Sequence, residues 1–156
     1  MSAAPPSRLP YFAYGRNMGA QAMQRACPGH RFLGPAQLGD HRLAFTRRSL
    51  RTGTGVADVV AAPGQRVWGA LYELLGDAEL AALDQKEGNG WAYERREVRV
   101  LLAGEQHEAF LYAVIAPHAP HVAPSPEYVG ALLDGGRERG LPAAYLAALR
   151  ALAHPS

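Results

Sequence analysis

Apolar and polar positions recur along the chain with two different periods, and the change from one to the other marks its elements. Tyr11 to Tyr14 has the short, alternating aromatic and small pattern of a strand, and Gly15 ends it. Val56 to Ala61 is β-branched and apolar, and Arg66 to Leu74 alternates with Trp68, Ala70, Tyr72 and Leu74 on one side. The Ala62-Pro63-Gly64-Gln65 break between these two runs predicts a hairpin. Tyr93 to Leu102 and Gln106 to Ile115 predict two more strands, joined by a turn around Gly104. Arg31 to Gly34, Ala36 to Gly39 and His41 to Thr46 read as short extended pieces punctuated by Pro35 and Gly39, and Arg47 to Gly55 reads as a mobile loop.

The helical period appears in few places. Ala20 to Ala26 suits one or two turns ended by Cys27-Pro28-Gly29. Asp77 to Glu87 is the strong helix: Asp77 is the expected N-cap, Glu79 suits the positive first turn, and Gly88 can close the C-terminus. Ser125 caps a further helix with Pro126 at its first position and Tyr128 and Leu132 facing inward. Pro142 opens a last Ala/Leu-rich helix with Tyr145, Leu149 and Leu152 on one stripe. With only one strong helix between the strands, βαβ alternation is missing. The expected class is α+β, a curved, largely antiparallel sheet or small β-barrel with peripheral helices.

Composition narrows the functional classes. At 156 residues and 48% hydrophobic, the chain is long enough for one domain, expected over residues 10–153. Residues 1–9 are expected to be a loose tail, because they lack the apolar run of a signal peptide. No stretch approaches the roughly 18 apolar residues of a membrane span. Cys27 is the only cysteine, so no intrachain disulfide is expected and a reducing cytoplasm suits the chain. Residues 1 to 66 hold nine Arg and two Asp, while residues 67 to 156 hold seven basic and twelve acidic side chains. Only Arg47, Arg48 and Arg51 cluster, without stacking aromatics or a recognition helix, so nucleic acid is not an expected partner.

The candidate chemistry lies at two points. In Tyr14-Gly15-Arg16-Asn17, Gly15 is expected to take a backbone conformation closed to residues with a side chain, bringing successive N–H groups into an anion-binding concavity. A plain strand and β-turn fits the same residues. Leu80, Leu83 and Glu87 fall on one helix face. Partial burial and the negative helix end would both raise the Glu87 pKa toward the range of a general acid/base. A solvent-facing helix-terminal Glu also fits that spacing. Cys27 is expected to be an inert packing residue, and His118 and His121 lack the further ligands that a metal site needs.

Four segments then stand in order: Tyr11-Phe12-Ala13-Tyr14-Gly15-Arg16-Asn17-Met18; Val67-Trp68-Gly69-Ala70-Leu71-Tyr72; Leu83-Asp84-Gln85-Lys86-Glu87-Gly88 followed by Tyr93; and Pro124-Ser125-Pro126-Glu127-Tyr128. Together they resemble the gamma-glutamylcyclotransferase-like (AIG2-like) family, with its Tyr-Gly-Ser-Asn loop, Leu-Asp-x-x-Glu-Gly helix end and Pro-Ser-x-x-Tyr segment. The resemblance implies a small mixed barrel whose cavity binds a gamma-glutamyl group and releases it as 5-oxoproline, with no metal or cofactor. It implies Glu87 as the acid/base, backbone donors from Tyr14, Gly15, Arg16 and Asn17, and Tyr93 and Tyr128 as lining residues, with Tyr112 a further candidate. Arg16 stands where the family usually has Ser, and it would change substrate choice, be neutral, or abolish turnover and leave a binding module. A gamma-glutamyl amino acid, peptide or amine, or a gamma-glutamyl protecting group on a biosynthetic intermediate such as an aminoglycoside, remains open as substrate. So does an interaction protein that uses the basic half. A monomer or homodimer is expected.

Overall fold

The structure is a computed structural model and describes residues 9–154. Five strands close a barrel: β1 (Tyr11–Ala13), β2 (Arg31–Arg48), β3 (Gly55–Glu73), β4 (Tyr93–Leu102) and β5 (Glu105–Val114), in the order β1-β3-β2-β4-β5. β1 runs antiparallel to β3 and parallel to β5, while the other neighbours pair antiparallel. The barrel is therefore mixed and largely antiparallel, as the sequence leads one to expect. Four helices lie around it: α1 (Ala20–Ala26), α2 (Asp77–Glu87), α3 (Pro126–Glu138) and α4 (Ala143–Ala153). Of the tail expected over residues 1–9, residues 1–8 lie outside the described residues, and Leu9 packs against the core.

Two local expectations are corrected. The three short pieces from Arg31 to Thr46 form one 18-residue strand, because its interruptions are bulges between Phe32 and Gly34, Gly39 and His41, and Phe45 and Arg47. Residues 62–65 do not turn a hairpin either. Ala61 pairs with His41 and Arg66 with Gly39, so both halves of β3 lie along the same partner strand. Gly64, at φ +80°, bulges outward there and donates its N–H to the Asp40 carboxylate at 2.9 Å. Opposed bulges let two long strands bend together around a barrel, and a Pro-Gly break in sequence looks the same as a reversal. The actual reversal lies at residues 49–54, where Ser49 and Thr54 close the loop through Ser49 N to Thr54 O at 2.8 Å.

α2 has the expected bounds but a different start. Its N-cap is Gly76, which offers no side-chain oxygen, and Asp77 is the first helical residue. Glu79 compensates. Its carboxylate is buried, accepts the Leu75 N–H at 2.8 Å and accepts the Gly29 N–H, which ties the α1–β2 connection to the helix. Gly88, at φ 66° and ψ 48°, closes the other end in the left-handed conformation. α3 starts as expected, with the Ser125 hydroxyl accepting the Tyr128 N–H at 3.1 Å. Ser125→Ala is expected to reduce stability by about 1 kcal/mol, read as a lower urea midpoint with an unchanged slope.

The core combines the barrel interior with the inner helix faces: Phe12, Met18, Phe45, Tyr72, Leu83, Leu111, Tyr112 and Leu132 are fully buried or nearly so. Cys27 is buried among them, and burial, then Glu79, push its thiol up to about 11, which suits a packing residue rather than a nucleophile. His118 accepts the Arg48 N–H at 2.9 Å and His121 packs edge-on to Phe45. Among the described residues no three His, Cys, Asp or Glu side chains are grouped to hold a metal ion. Among them, too, no helix is long and apolar enough to cross a membrane.

Candidate active site

A cleft of about 1280 Å³ opens where the loop after β1 meets the end of α2, and Tyr14, Gly15, Arg16, Asn17, Glu87, Tyr93, Tyr112 and Tyr128 all contribute to its wall. These residues come from five parts of the chain, and the barrel brings them together.

The loop is held from below. Tyr14 is buried and its hydroxyl donates to the Tyr112 carbonyl at 2.5 Å. Gly15 then leads into a single 3-10 turn over Arg16–Met18. The expectation of a glycine-only backbone at Gly15 is corrected: its φ is −113° and its ψ −140°, so no left-handed conformation is needed. A side chain at Gly15 would instead occupy the cleft wall, touching the Tyr128 hydroxyl at 3.5 Å and Ala57 at 3.6 Å. The first bond of the turn runs from Met18 N to Gly15 O at 3.1 Å, so the N–H groups of Arg16 and Asn17 precede the helical ladder. Tyr72 and Arg139 both donate to the Met18 carbonyl, at 2.5 and 3.3 Å, and fix the far end of the turn.

Asn17 joins this loop to α2. Its amide nitrogen donates to the Tyr11 hydroxyl at 3.0 Å, its oxygen accepts from Lys86 Nζ at 2.7 Å, and its side chain also hydrogen bonds the Glu87 carboxylate. The pKa of Glu87 is raised, chiefly by burial, against which Lys86 and the Asn17 hydrogen bond work in the opposite direction. Leu83, one turn earlier, is fully buried, and Leu80 packs against the core. The apolar stripe thus carries the carboxylate to the cleft.

Tyr93 and Tyr128 share one anchor. The Tyr93 hydroxyl donates to the Ala57 carbonyl at 2.9 Å, and the Tyr128 hydroxyl accepts the Ala57 N–H at 3.0 Å. Burial raises both phenol pKa values, so both side chains are neutral at physiological pH. Tyr112 also lines the cleft, but its hydroxyl is committed to Asp84 at 2.5 Å, and Asp84 pairs with Arg95 at 3.1 Å. Arg16 is exposed at the mouth, close enough for its charge to act on Lys86 and Tyr128.

Sequence reasoning missed the parts that support this wall. Asp58 is buried and accepts from Thr46 Oγ1 at 2.9 Å, Val59 N at 2.8 Å and Val114 N at 3.0 Å. It thereby links β2, β3 and β5 one residue from Ala57. A lone Asp inside the apolar run Val56 to Ala61 was the available signal. Lys86 and the Arg47–Trp91 stack, with the guanidinium 5.5 Å from the ring, carried no signal that distinguishes them from surface residues.

Comparison with known proteins places this geometry. The profile of the family described as gamma-glutamyl cyclotransferase, AIG2-like, matches residues 11–129. The gamma-glutamylcyclotransferase of Homo sapiens is 30% identical over 147 residues, covering 91% of this chain and 77% of the human protein. That of Mus musculus is 29% identical with the same coverage. A solved gamma-glutamyl cyclotransferase structure superposes with a TM-score of 0.84 at 29% identity, covering 92% of this chain and 86% of that one. With that profile spanning most of the barrel and the cleft wall, the chain belongs to the gamma-glutamyl cyclotransferase, AIG2-like family of enzymes.

Proposed function

We propose that this enzyme releases 5-oxoproline from a gamma-glutamyl amino acid, peptide or amine, with Glu87 as its general acid/base and no cofactor or metal. The observation that carries this reading is the partly buried Glu87 carboxylate, tied through Asn17 to the loop Tyr14 to Asn17 that lines the same cleft. The lone buried Cys27 suits a cytoplasmic setting.

The reaction needs few parts. The substrate's own α-amino nitrogen is tethered at the right distance to attack its γ-carbonyl carbon, so proximity supplies much of the rate. Glu87 takes a proton from the α-ammonium and frees the lone pair. A C–N bond then forms to close the five-membered ring, leaving a tetrahedral oxyanion. The backbone N–H groups of Gly15, Arg16 and Asn17 hold that oxyanion or the α-carboxylate. As the intermediate collapses, the γ-amide C–N bond breaks. Glu87 delivers its proton to the departing nitrogen, and the second proton lost from the attacking nitrogen completes the leaving ammonium. Neutral Tyr93 and Tyr128 line the pocket and contribute shape and hydrogen bonding rather than charge.

The base form of Glu87 is the ionised one, and its pKa lies above the ordinary 4.5. The acid limb of kcat/KM for 5-oxoproline release is therefore expected above pH 4.5, falling about tenfold per pH unit below it, and absent from any residual activity of Glu87→Gln. Incubating the purified protein with a panel of gamma-glutamyl amino acids, peptides and amines, and measuring 5-oxoproline and free amine, tests the function. Equal yields of the two products from at least one class are expected. Absence of 5-oxoproline from every class would overturn the reading.

A further inference from the structure

We infer that Arg16, Arg25 and Lys86 form an anion subsite at the mouth of the cleft, which selects substrates whose leaving portion carries an acidic side chain. This rests on the cyclotransferase reading of the same cleft.

The three cations come from separate elements, the turn after β1, the last turn of α1 and the last turn of α2, and all three line the cleft. They are close enough for Arg16 and Arg25 each to disfavour the charge on Lys86. Separate elements that bring like charges together leave a repulsion that an anion relieves. Among the described residues no carboxylate forms an ion pair with either arginine: the ion pairs are Arg31–Glu73, Arg95–Asp84, Arg96–Glu94 and Arg137–Asp134, none of which involves Arg16 or Arg25. Lys86 gives a hydrogen bond to Asn17 Oδ1 and has Glu87 beside it, so it links the proposed reacting end of the cleft to the charges of the arginines. Arg47, Arg48 and Arg51 line the same cleft, and among the described residues the carboxylates in its lining are Glu87 and Glu127.

The charge balance says which part of the substrate answers this field. A gamma-glutamyl group brings one α-carboxylate and one α-ammonium and is neutral overall, and Glu87 engages the ammonium. The positive mouth is then complemented only by the leaving portion. A leaving amine without a carboxylate, or one with further cationic groups, is disfavoured there. A leaving amino acid with an acidic side chain presents two carboxylates to planar guanidinium groups suited to holding them.

Gamma-glutamylglutamate and gamma-glutamylglutamine test this directly, because they match in size and differ in one charge. At low salt kcat/KM is expected to favour the glutamate compound by about tenfold or more, with the preference shrinking as potassium chloride is added. Arg16→Ser, Arg25→Ala and Lys86→Gln are each expected to reduce that ratio, whatever they do to the absolute rates. Calorimetric titration of both dipeptides into Glu87→Gln protein measures the same preference without turnover. Preferential binding of the glutamate compound that is lost in Arg16→Ser supports the subsite, even if no dipeptide yields 5-oxoproline and the activity reading fails. Equal kcat/KM and equal binding, or a ratio untouched by all three substitutions, would overturn the subsite and leave the activity reading intact.

Discussion

Glu87→Gln is expected to lower 5-oxoproline release by about 10² to 10⁴ while the protein stays folded and still binds its substrate. Glutamine keeps the shape of the side chain and a partner for Asn17, and removes the carboxylate proposed to take a proton from the ammonium and return it to the leaving nitrogen. Folding responds in the opposite direction. Burial raises the pKa of Glu87 in the folded protein, so its favourable contribution is present below the unfolded carboxylate pKa and is lost as pH rises through the folded one. The variant lacks the partly buried carboxylate whose ionisation burial disfavours. Glu87→Gln is therefore expected to be at least as stable as the native chain at pH 7, with the difference shrinking as the pH is lowered toward 4. Loss of activity with no loss of melting temperature separates a chemical role from a structural one. Near-normal turnover by the variant would remove Glu87 from the mechanism.

Asp58→Ala is expected to have the largest effect on stability, about 3–5 kcal/mol, read by urea denaturation. The buried carboxylate accepts the Thr46 hydroxyl and the N–H groups of Val59 and Val114, and all three are left without it in the variant. Its position beside Ala57 extends the effect to the cleft, because Ala57 holds the hydroxyls of both Tyr93 and Tyr128. Asp58→Asn keeps an acceptor for part of the network and is expected to lose less. A loss below about 1 kcal/mol for Asp58→Ala would show that water or a repacked strand satisfies those donors.

The barrel was legible in the sequence because most of its strands alternate and only one strong helix falls among them, and the end of α2 was legible because Leu80, Leu83 and Glu87 follow a helical repeat into a glycine cap. The failures share a physical cause. Residues 62–65 and the glycines and prolines of β2 interrupt regular strand geometry, and local composition does not distinguish a bulge from a turn when the partner strand lies elsewhere in the chain. Residue type points to Asp77 as the cap, whereas Glu79 performs the stabilising role from three residues beyond Gly76. Within the candidate site the motif residues were visible, and the structure brings them to one cleft. Asp58 stood outside every motif, and the roles of Asp84 and Lys86 could not be read from the helix-end motif that contains them, because those roles depend on what folding places opposite them.

Cyclisation within the substrate is the central claim, and running the reaction in ¹⁸O-labelled water tests it most directly. Attack by the substrate's own nitrogen adds no oxygen from solvent. Mass spectrometry is therefore predicted to show unlabelled 5-oxoproline appearing in step with the free amine. Labelled glutamate as the primary product would contradict the account, because it would mean that water, rather than the α-amino group, attacks the γ-carbonyl in this cleft.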